Sequence, residues 1–111
     1  MAAQYATPGP WEVKKDDEQF RIRQKGTVKR IAGGTIERPV AEGFNYKLDA
    51  VLAASAPDLL NDLEVAAETL RRYEALHREK NTEESTEKAE VNAALASRFE
   101  ATIAKAKGIA K

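Results

Sequence analysis

Residues 57–80 read PDLLNDLEVAAETLRRYEALHREK, and residues 81–107 read NTEESTEKAEVNAALASRFEATIAKAK. In the first stretch Leu59, Leu60, Leu63, Ala66, Ala67, Leu70, Tyr73 and His77 recur at spacings of three and four, which puts them on one face of a helix. Pro57 suits a first helical position, where its missing N–H costs nothing, and Asp58 follows in the first turn, where the helix dipole favours a carboxylate. The residue before a proline avoids the α region, so Ala56 marks a break. In the second stretch Asn81 and Glu84 stand at capping-box spacing. The stripe there is Val91, Leu95, Phe99, Ile103 and Ala106, with further alanines around it. Lys105 and Lys107 suit the negative carboxyl end, and Gly108 is a stop. Two long amphipathic helices joined by a short polar turn predict an antiparallel helical hairpin over residues 57–111.

Upstream, a shorter helix over residues 45–55 carries Leu48, Val51 and Leu52 on one face, with Asn45 as its expected N-cap. Before it the period changes to two. Trp11-Glu12-Val13-Lys14 alternates apolar and polar, and so does Phe20-Arg21-Ile22-Arg23-Gln24. A polar turn at residues 15–18 separates these strands, and Lys25-Gly26 supplies the next turn. Residues 27–32 form the expected third strand, in which Val28 and Ile31 fall at opposite parity and call for a bulge. Residues 35–37 either extend that strand or start a short fourth, and Pro39 argues against a central position. Residues 1–10, with two prolines and a glycine in Thr7-Pro8-Gly9-Pro10, read as a flexible arm. The expected fold class is therefore α+β. A short N-terminal antiparallel β-meander of three to four strands over residues 11–43 is followed by the short helix and the hairpin, as a single domain over residues 1–111.

Each long helix would span roughly 35–40 Å, whereas five-residue strands span only about 17 Å. The sheet is too short to cover the hairpin, and alanine-rich flanks let another helix approach closely. Self-association is expected, through Leu70, Tyr73, Leu95, Phe99 and Ile103. The alternative is a monomeric hairpin whose exposed alanines simply favour helix.

The chain has 111 residues and no cysteine, with 18 basic and 18 acidic side chains and a net charge of zero. Disulfides, thiolate metal sites and cysteine nucleophiles are excluded. A nucleic-acid binder is usually basic overall, and a DNA mimic is strongly acidic, so neither class is favoured. The amino terminus lacks a charged n-region and an apolar run, so no secretory signal is expected, and no apolar run reaches membrane-spanning length; a cytoplasmic setting is the expectation.

Candidates for chemistry are sparse. Glu74 and His77 form a Glu-x-x-His pair, half of a di-iron carboxylate site, but the only histidine is His77 and the second half cannot be built. The pairs Asp58/Asp62, Glu64/Glu68 and Glu83/Glu87 each place two carboxylates on one helical face, among lysines and arginines that indicate a solvated surface. Ser55, Ser85 and Ser97 lack a nucleophile-elbow context, and Gly33-Gly34 lacks the lysine and hydroxyl of a phosphate loop. The expectation is a protein that is not an enzyme, with no cofactor and no metal. Between Gln19 and Ile36, by contrast, stand Arg21, Arg23, Lys25, Lys29 and Arg30 without an acidic residue. Arg21 and Arg23 share a strand face, and Lys29 could join them from a neighbouring strand, giving a surface for anion or partner binding. Its ligand could be a nucleic-acid backbone, a small nucleotide or an acidic protein. The plain reading is a solvated outer face. Trp11 and Phe20 read as anchors between sheet and helices.

The opening Thr7-Pro8-Gly9-Pro10-Trp11-Glu12-Val13, taken with the later Leu52-Ala53-Ala54-Ser55-Ala56-Pro57-Asp58-Leu59-Leu60, resembles a group of small bacteriophage and prophage proteins of mostly unknown function. These combine a TPGPW opening, a β-rich stretch and an AAxAPDLL segment. The resemblance covers the first two-thirds of the chain. It departs from the pattern at residues 45–50, and the long last helix lies outside it. What it implies is phage origin and a host-cytoplasm setting. By analogy of setting, it also implies an accessory protein that inhibits or sequesters a component of host antiviral defence, in the manner of an anti-CRISPR protein. The expected partners are a host protein or a small anionic ligand, together with further copies of the chain. Nucleic acid ranks lower, and no membrane is expected. A structural or assembly role for the hairpin is the remaining alternative.

Overall fold

A computed structural model describes residues 7–26, 29–36 and 38–109. Residues 1–6 of the expected arm, Thr27 and Val28 of the expected third strand, Glu37, and the last two residues lie outside the described ones. The element order is β1 (Trp11–Asp16), β2 (Gln19–Gln24), β3 (Lys29–Ile31), β4 (Gly34–Ile36), β5 (Pro39–Phe44), α1 (Lys47–Ala54), α2 (Ala56–Lys80) and α3 (Glu83–Ala106). This is the α+β class read from the sequence. The chain forms two compact units, residues 1–59 and 60–111.

In the first unit the strands depart from a simple meander. The three-stranded antiparallel sheet has the order β1-β2-β5, and among the described residues β3 pairs with β4 in a separate two-stranded ribbon. The chain leaves β2, turns back on itself through Ala32 and Gly33, and returns as β5. Pro39 is the first residue of this edge strand, where its missing N–H removes no ladder bond that matters. The two-residue loop between β1 and β2 places Asp17 at φ 49°, a left-handed position that aspartate tolerates. Pairing of β2 with β5 slips between Phe20↔Phe44 and Ile22↔Ala41, and Gly43 at φ 85° occupies the resulting bulge.

Register puts Val13, Ile22 and Ala41 side by side on one sheet face. Helix α1 packs over β1 and β2. The core closes on Ile22, 1% exposed, and Ala50, fully buried. A methyl-sized residue at the contact lets the helix axis come close to the sheet. The segment before β1 is held by its own contacts. Trp11 Nε1 donates to the Thr7 carbonyl at 3.0 Å, and the Lys25 amide donates to the Pro10 carbonyl at 2.9 Å. Gly9 lies so close to Pro57 that a Cβ there would sit 2.6 Å from the proline Cβ. The two segments that carry the phage-protein resemblance therefore touch.

Helix boundaries differ from the expected caps for local reasons. Tyr46, not Asn45, is the N-cap of α1 and makes no side-chain cap bond. The amide oxygen of Asn45 instead accepts from Gln19 Nε2 at 3.1 Å. Only Ser55 separates α1 from α2, and helix resumes at Ala56, one residue before Pro57. Asn81 ends α2 with φ 51°, so the capping of α3 passes to Thr82, whose hydroxyl accepts from the Ser85 amide at 3.1 Å. Gly108, at φ 74°, follows the C-cap Lys107 of α3.

In the second unit α2 and α3 run antiparallel, as Glu64 reaches Lys107 and Arg71 reaches both Ser97 and Glu100. Seam residues alternate at three and four: Leu60, Leu63, Ala67, Leu70, Glu74 and His77 on α2, and Ser85, Ala89, Asn92, Ala96, Phe99 and Ile103 on α3. This is the spacing of coiled-coil packing. Its most buried members are small: Ala67 at 4%, Ala89 and Ala96 at 0%, Ser85 at 8%. The stripe expected on α3 is thereby corrected. Val91, Leu95, Phe99 and Ile103 follow a strict spacing of four, which drifts about 40° per step around a helix of 3.6 residues per turn. The large residues at one end of that drift, Val91 and Leu95, fall off the seam and are 68% and 39% exposed.

Candidate functional site

The surface offers three places where chemistry or binding could occur. The first is the outer sheet face. Register sets Glu12 opposite Arg23 and Lys14 opposite Arg21. Arg23 Nε donates to Glu12 at 2.6 Å, and Arg21 donates to the Asp16 carboxylate. Arg21 and Arg23 do share a face, as strand alternation predicts, but acidic residues of β1 share it with them. Residues 19–36 are free of acids in sequence only, because the acids on this face come from the neighbouring strand. Lys25, in the turn after β2, is exposed. Lys29 and Arg30 belong to β3, which among the described residues pairs with β4 and does not adjoin β2. The expected joining of Lys29 to Arg21 and Arg23 across adjacent strands is thus corrected by the strand order.

The second place is α1. Its apolar residues do share a face, but that face points away from the sheet. Tyr46 is 72% exposed, Leu48 80%, Leu52 66% and Val51 41%. The helix turns its alanines inward and its large residues outward, which an apolar periodicity cannot distinguish from the reverse.

The third place is the hairpin, whose two sides differ. On one side Arg71 donates to Glu74 at 2.9 Å, to Ser97 at 3.0 Å and to both oxygens of Glu100, the shorter contact being 2.6 Å. Glu74 also receives Arg78 at 2.9 Å, and Lys107 reaches Glu64 at 3.3 Å. The hydrogen bonds to Glu100 and then Glu74 hold the Arg71 guanidinium firmly protonated. Those to Arg71 and then Arg78 hold the Glu74 carboxyl below its ordinary range, and Arg71 does the same for Glu100. Glu74 is therefore an anchored carboxylate in an ion-pair cluster, and its neighbour His77 has a buried Nδ1 with no hydrogen bond among the described residues. The Glu-x-x-His spacing brings the two residues onto one turn without forming a metal cluster, and no group of three metal-ligating residues occurs among the described residues.

On the opposite side the described residues form no ion pair between the two helices; Lys88 pairs with Glu84 of its own helix at 3.2 Å. Tyr73, Leu76 and His77 line a shallow hollow there, and His77, Val91 and Asn92 line another that continues toward Glu84 and Lys88. Tyr73 is 51% exposed and Leu76 49%. Of the residues expected to mediate self-association, Tyr73 and Leu95 face outward. Leu70 and Phe99 are half-buried on the seam, and Ile103 lines a hollow on the ion-pair side with Ala67, Arg71 and Glu100. No helix among the described residues is long and apolar enough to cross a membrane.

No curated protein and no solved structure matches the chain significantly. One family model does, that of Salmonella phage P22 protein Y8K6, and it covers residues 1–110. The match covers nearly the whole length, and the chain belongs to this phage protein family.

Proposed function

We propose that this phage protein is a non-enzymatic accessory factor that acts in the host cytoplasm, occupying the surface of a host protein and so antagonising an antiviral defence system. The observation that carries the reading is the outward row of α1. Four large apolar side chains, Tyr46, Leu48, Val51 and Leu52, stand 41–80% exposed on and beside a helix of eight residues. Contiguous exposed apolar surface of this kind is the mark of a protein–protein contact in a folded domain. The sheet face supports a protein partner over nucleic acid. A phosphate backbone would have to compete with Glu12 and Asp16 for Arg23 and Arg21, and it would meet those carboxylates as like charges.

The test is made in living hosts. The protein is expressed in strains that each carry one defined defence system, and sensitive phage are plated on them. Restored plating in at least one strain is expected, lost when Leu48→Glu and Leu52→Glu are combined in a chain that keeps its helical circular dichroism. Restriction unaltered in every strain would overturn the anti-defence reading, and full activity of the double variant would remove α1 from it. An Arg21→Gln, Arg23→Gln chain in the same strains reads whether the sheet face contributes.

A further inference from the structure

We infer that the side of the α2–α3 hairpin opposite the ion-pair ladder is the contact face for a second copy of this chain, the two hairpins forming an antiparallel four-helix bundle. The inference is independent of the α1 row and of any host partner.

Three observations lead to it. The first is the asymmetry of the hairpin. One flank is closed within the chain by Arg71, Glu74, Arg78 and Glu100 and by the Glu64–Lys107 pair. The other flank holds Tyr73, Leu76, Val91 and Leu95, between 39% and 68% exposed. The alanine seam accounts for this distribution. With Ala67, Ala89 and Ala96 at the most buried seam positions, Tyr73, Leu76, Val91 and Leu95 lie off the seam, and a two-helix unit has no other layer to bury them.

The second observation is area. The paired stretches of about 21 residues span roughly 30 Å, and two helices side by side present a face about 20 Å wide. Apposing two such faces covers roughly 1,200 Å² in total, the lower end of the range for stable specific interfaces.

The third is complementarity along the outer rows of that face. The Arg71–Glu100 and Glu64–Lys107 contacts set the heights of the two helices. Side chains lean toward the N-terminus of their own helix, by about two residues for each of these long side chains, so the contacts place Asp62 of α2 level with Lys105 of α3 and Leu76 level with Val91. All four are exposed. A twofold axis parallel to the helices preserves height and sets α2 of one copy against α3 of the other, antiparallel. Asp62 then meets the partner's Lys105, and Leu76 meets the partner's Val91. Carboxylate faces ammonium at the rim, and apolar faces apolar nearer the turn. An isologous contact satisfies both copies at once, as closed symmetry requires.

The experiment is sedimentation equilibrium of the full chain across a micromolar concentration range. A mass of two chains is expected for the native protein. One chain is expected for Leu76→Glu combined with Leu95→Glu, with helical circular dichroism retained. Ala94→Glu, on the outermost face of α3, should leave the two-chain mass unchanged. Because the chain has no cysteine, the pairing can be read directly. A Leu76→Cys chain mixed with a Val91→Cys chain should give a disulfide-linked heterodimer under mild oxidation, and Leu76→Cys alone should give none. A native protein that sediments as one chain throughout, or a two-chain species that survives the Leu76→Glu, Leu95→Glu change, would overturn the inference. So would a disulfide from Leu76→Cys alone, because it places α2 against α2.

Discussion

The alanine seam makes a quantitative demand. Ala96 is fully buried between α2 and α3, in line with Ala89, also fully buried, and on the same seam as Ala67 of α2 at 4%. Helices that meet through alanine approach to about 8 Å, the short end of the usual interaxial range. Ala96→Leu adds three carbons where no accessible volume exists. Leucine and alanine differ little in helix propensity, so the intrinsic term is a few tenths of a kcal/mol at most. What remains is overpacking, which costs about 1–3 kcal/mol when the backbone must shift to admit the larger side chain. With a urea m-value of roughly 1–2 kcal/mol/M for a unit of this size, the midpoint should fall by about 1 M. The assay is urea denaturation followed at 222 nm, at one fixed protein concentration so that association does not confound the comparison. Ala94→Leu makes the same chemical change on the exposed face of the same helix and should stay within about 0.5 kcal/mol of the native chain. If Ala96→Leu melts with Ala94→Leu, the helices are not in alanine contact and the seam is wrong. The large outward residues would then have room inside.

Gly9→Ala should destabilise the first unit by about 1–3 kcal/mol, since its Cβ would come 2.6 Å from that of Pro57. Trp11 is the only tryptophan and is bonded to Thr7, so its fluorescence reports that unfolding. Thr82→Ala removes the hydroxyl that caps α3 and should cost about 1 kcal/mol. Asn81→Ala should cost a further 1 kcal/mol or so and Asn81→Gly should not, because the position needs φ 51°; thermal melts of the three variants check both. The Glu74 and Glu100 carboxyls have folded pKa values below their unfolded ones, through Arg71. Their stabilisation is therefore fully present above the unfolded carboxylate range and is lost as pH falls through the folded values. The melting temperature should hold level from neutral pH to about pH 5 and drop below it, and Arg71→Met should flatten that drop.

Periodicity of 3.6 over residues 57–80 and 81–107 was sufficient to identify two helices and their antiparallel pairing, and the period of two around Val13 and Ile22 identified β1 and β2. The failures concern which face lies inside. In α3 a spacing-of-four stripe of large residues competed with a three-four alternation of alanines, and the alanines hold the seam because methyl groups let the backbones approach. In α1 Leu48, Val51 and Leu52 share a face as expected, but Ala50 is the buried residue. A hydrophobicity pattern ranks leucine above alanine and so points outward in both helices. The strand order was missed for a different reason. Nothing local in residues 27–36 distinguishes a third meander strand from a separate ribbon, since the distinction lies in whether β5 claims the edge of β2. The ionic partners of Arg21 and Arg23 were hidden by the same separation in sequence, because Glu12 and Asp16 become neighbours only through cross-strand register.

The two segments that carry the phage-protein resemblance have a structural role in common. TPGPW at residues 7–11 and APDLL at residues 56–60 come together where Gly9 meets Pro57, so these signatures describe how the first unit closes and need not describe what the protein binds. The binding surfaces are to be sought among residues the fold does not require. The chain separates the two kinds clearly. Alanine occupies the most buried positions of α1, α2 and α3, at residues 50, 67, 89 and 96, while Leu48, Leu52, Tyr73, Leu76 and Val91 face outward. A solitary domain gains most by the opposite arrangement, because burying a leucine contributes about 1.5–3 kcal/mol and an alanine much less. With small residues inside, much of the chain's apolar area remains uncovered in one copy. Association would realise the free energy of covering it: along α2 and α3 with the second hairpin proposed above, and on α1 with the proposed host partner.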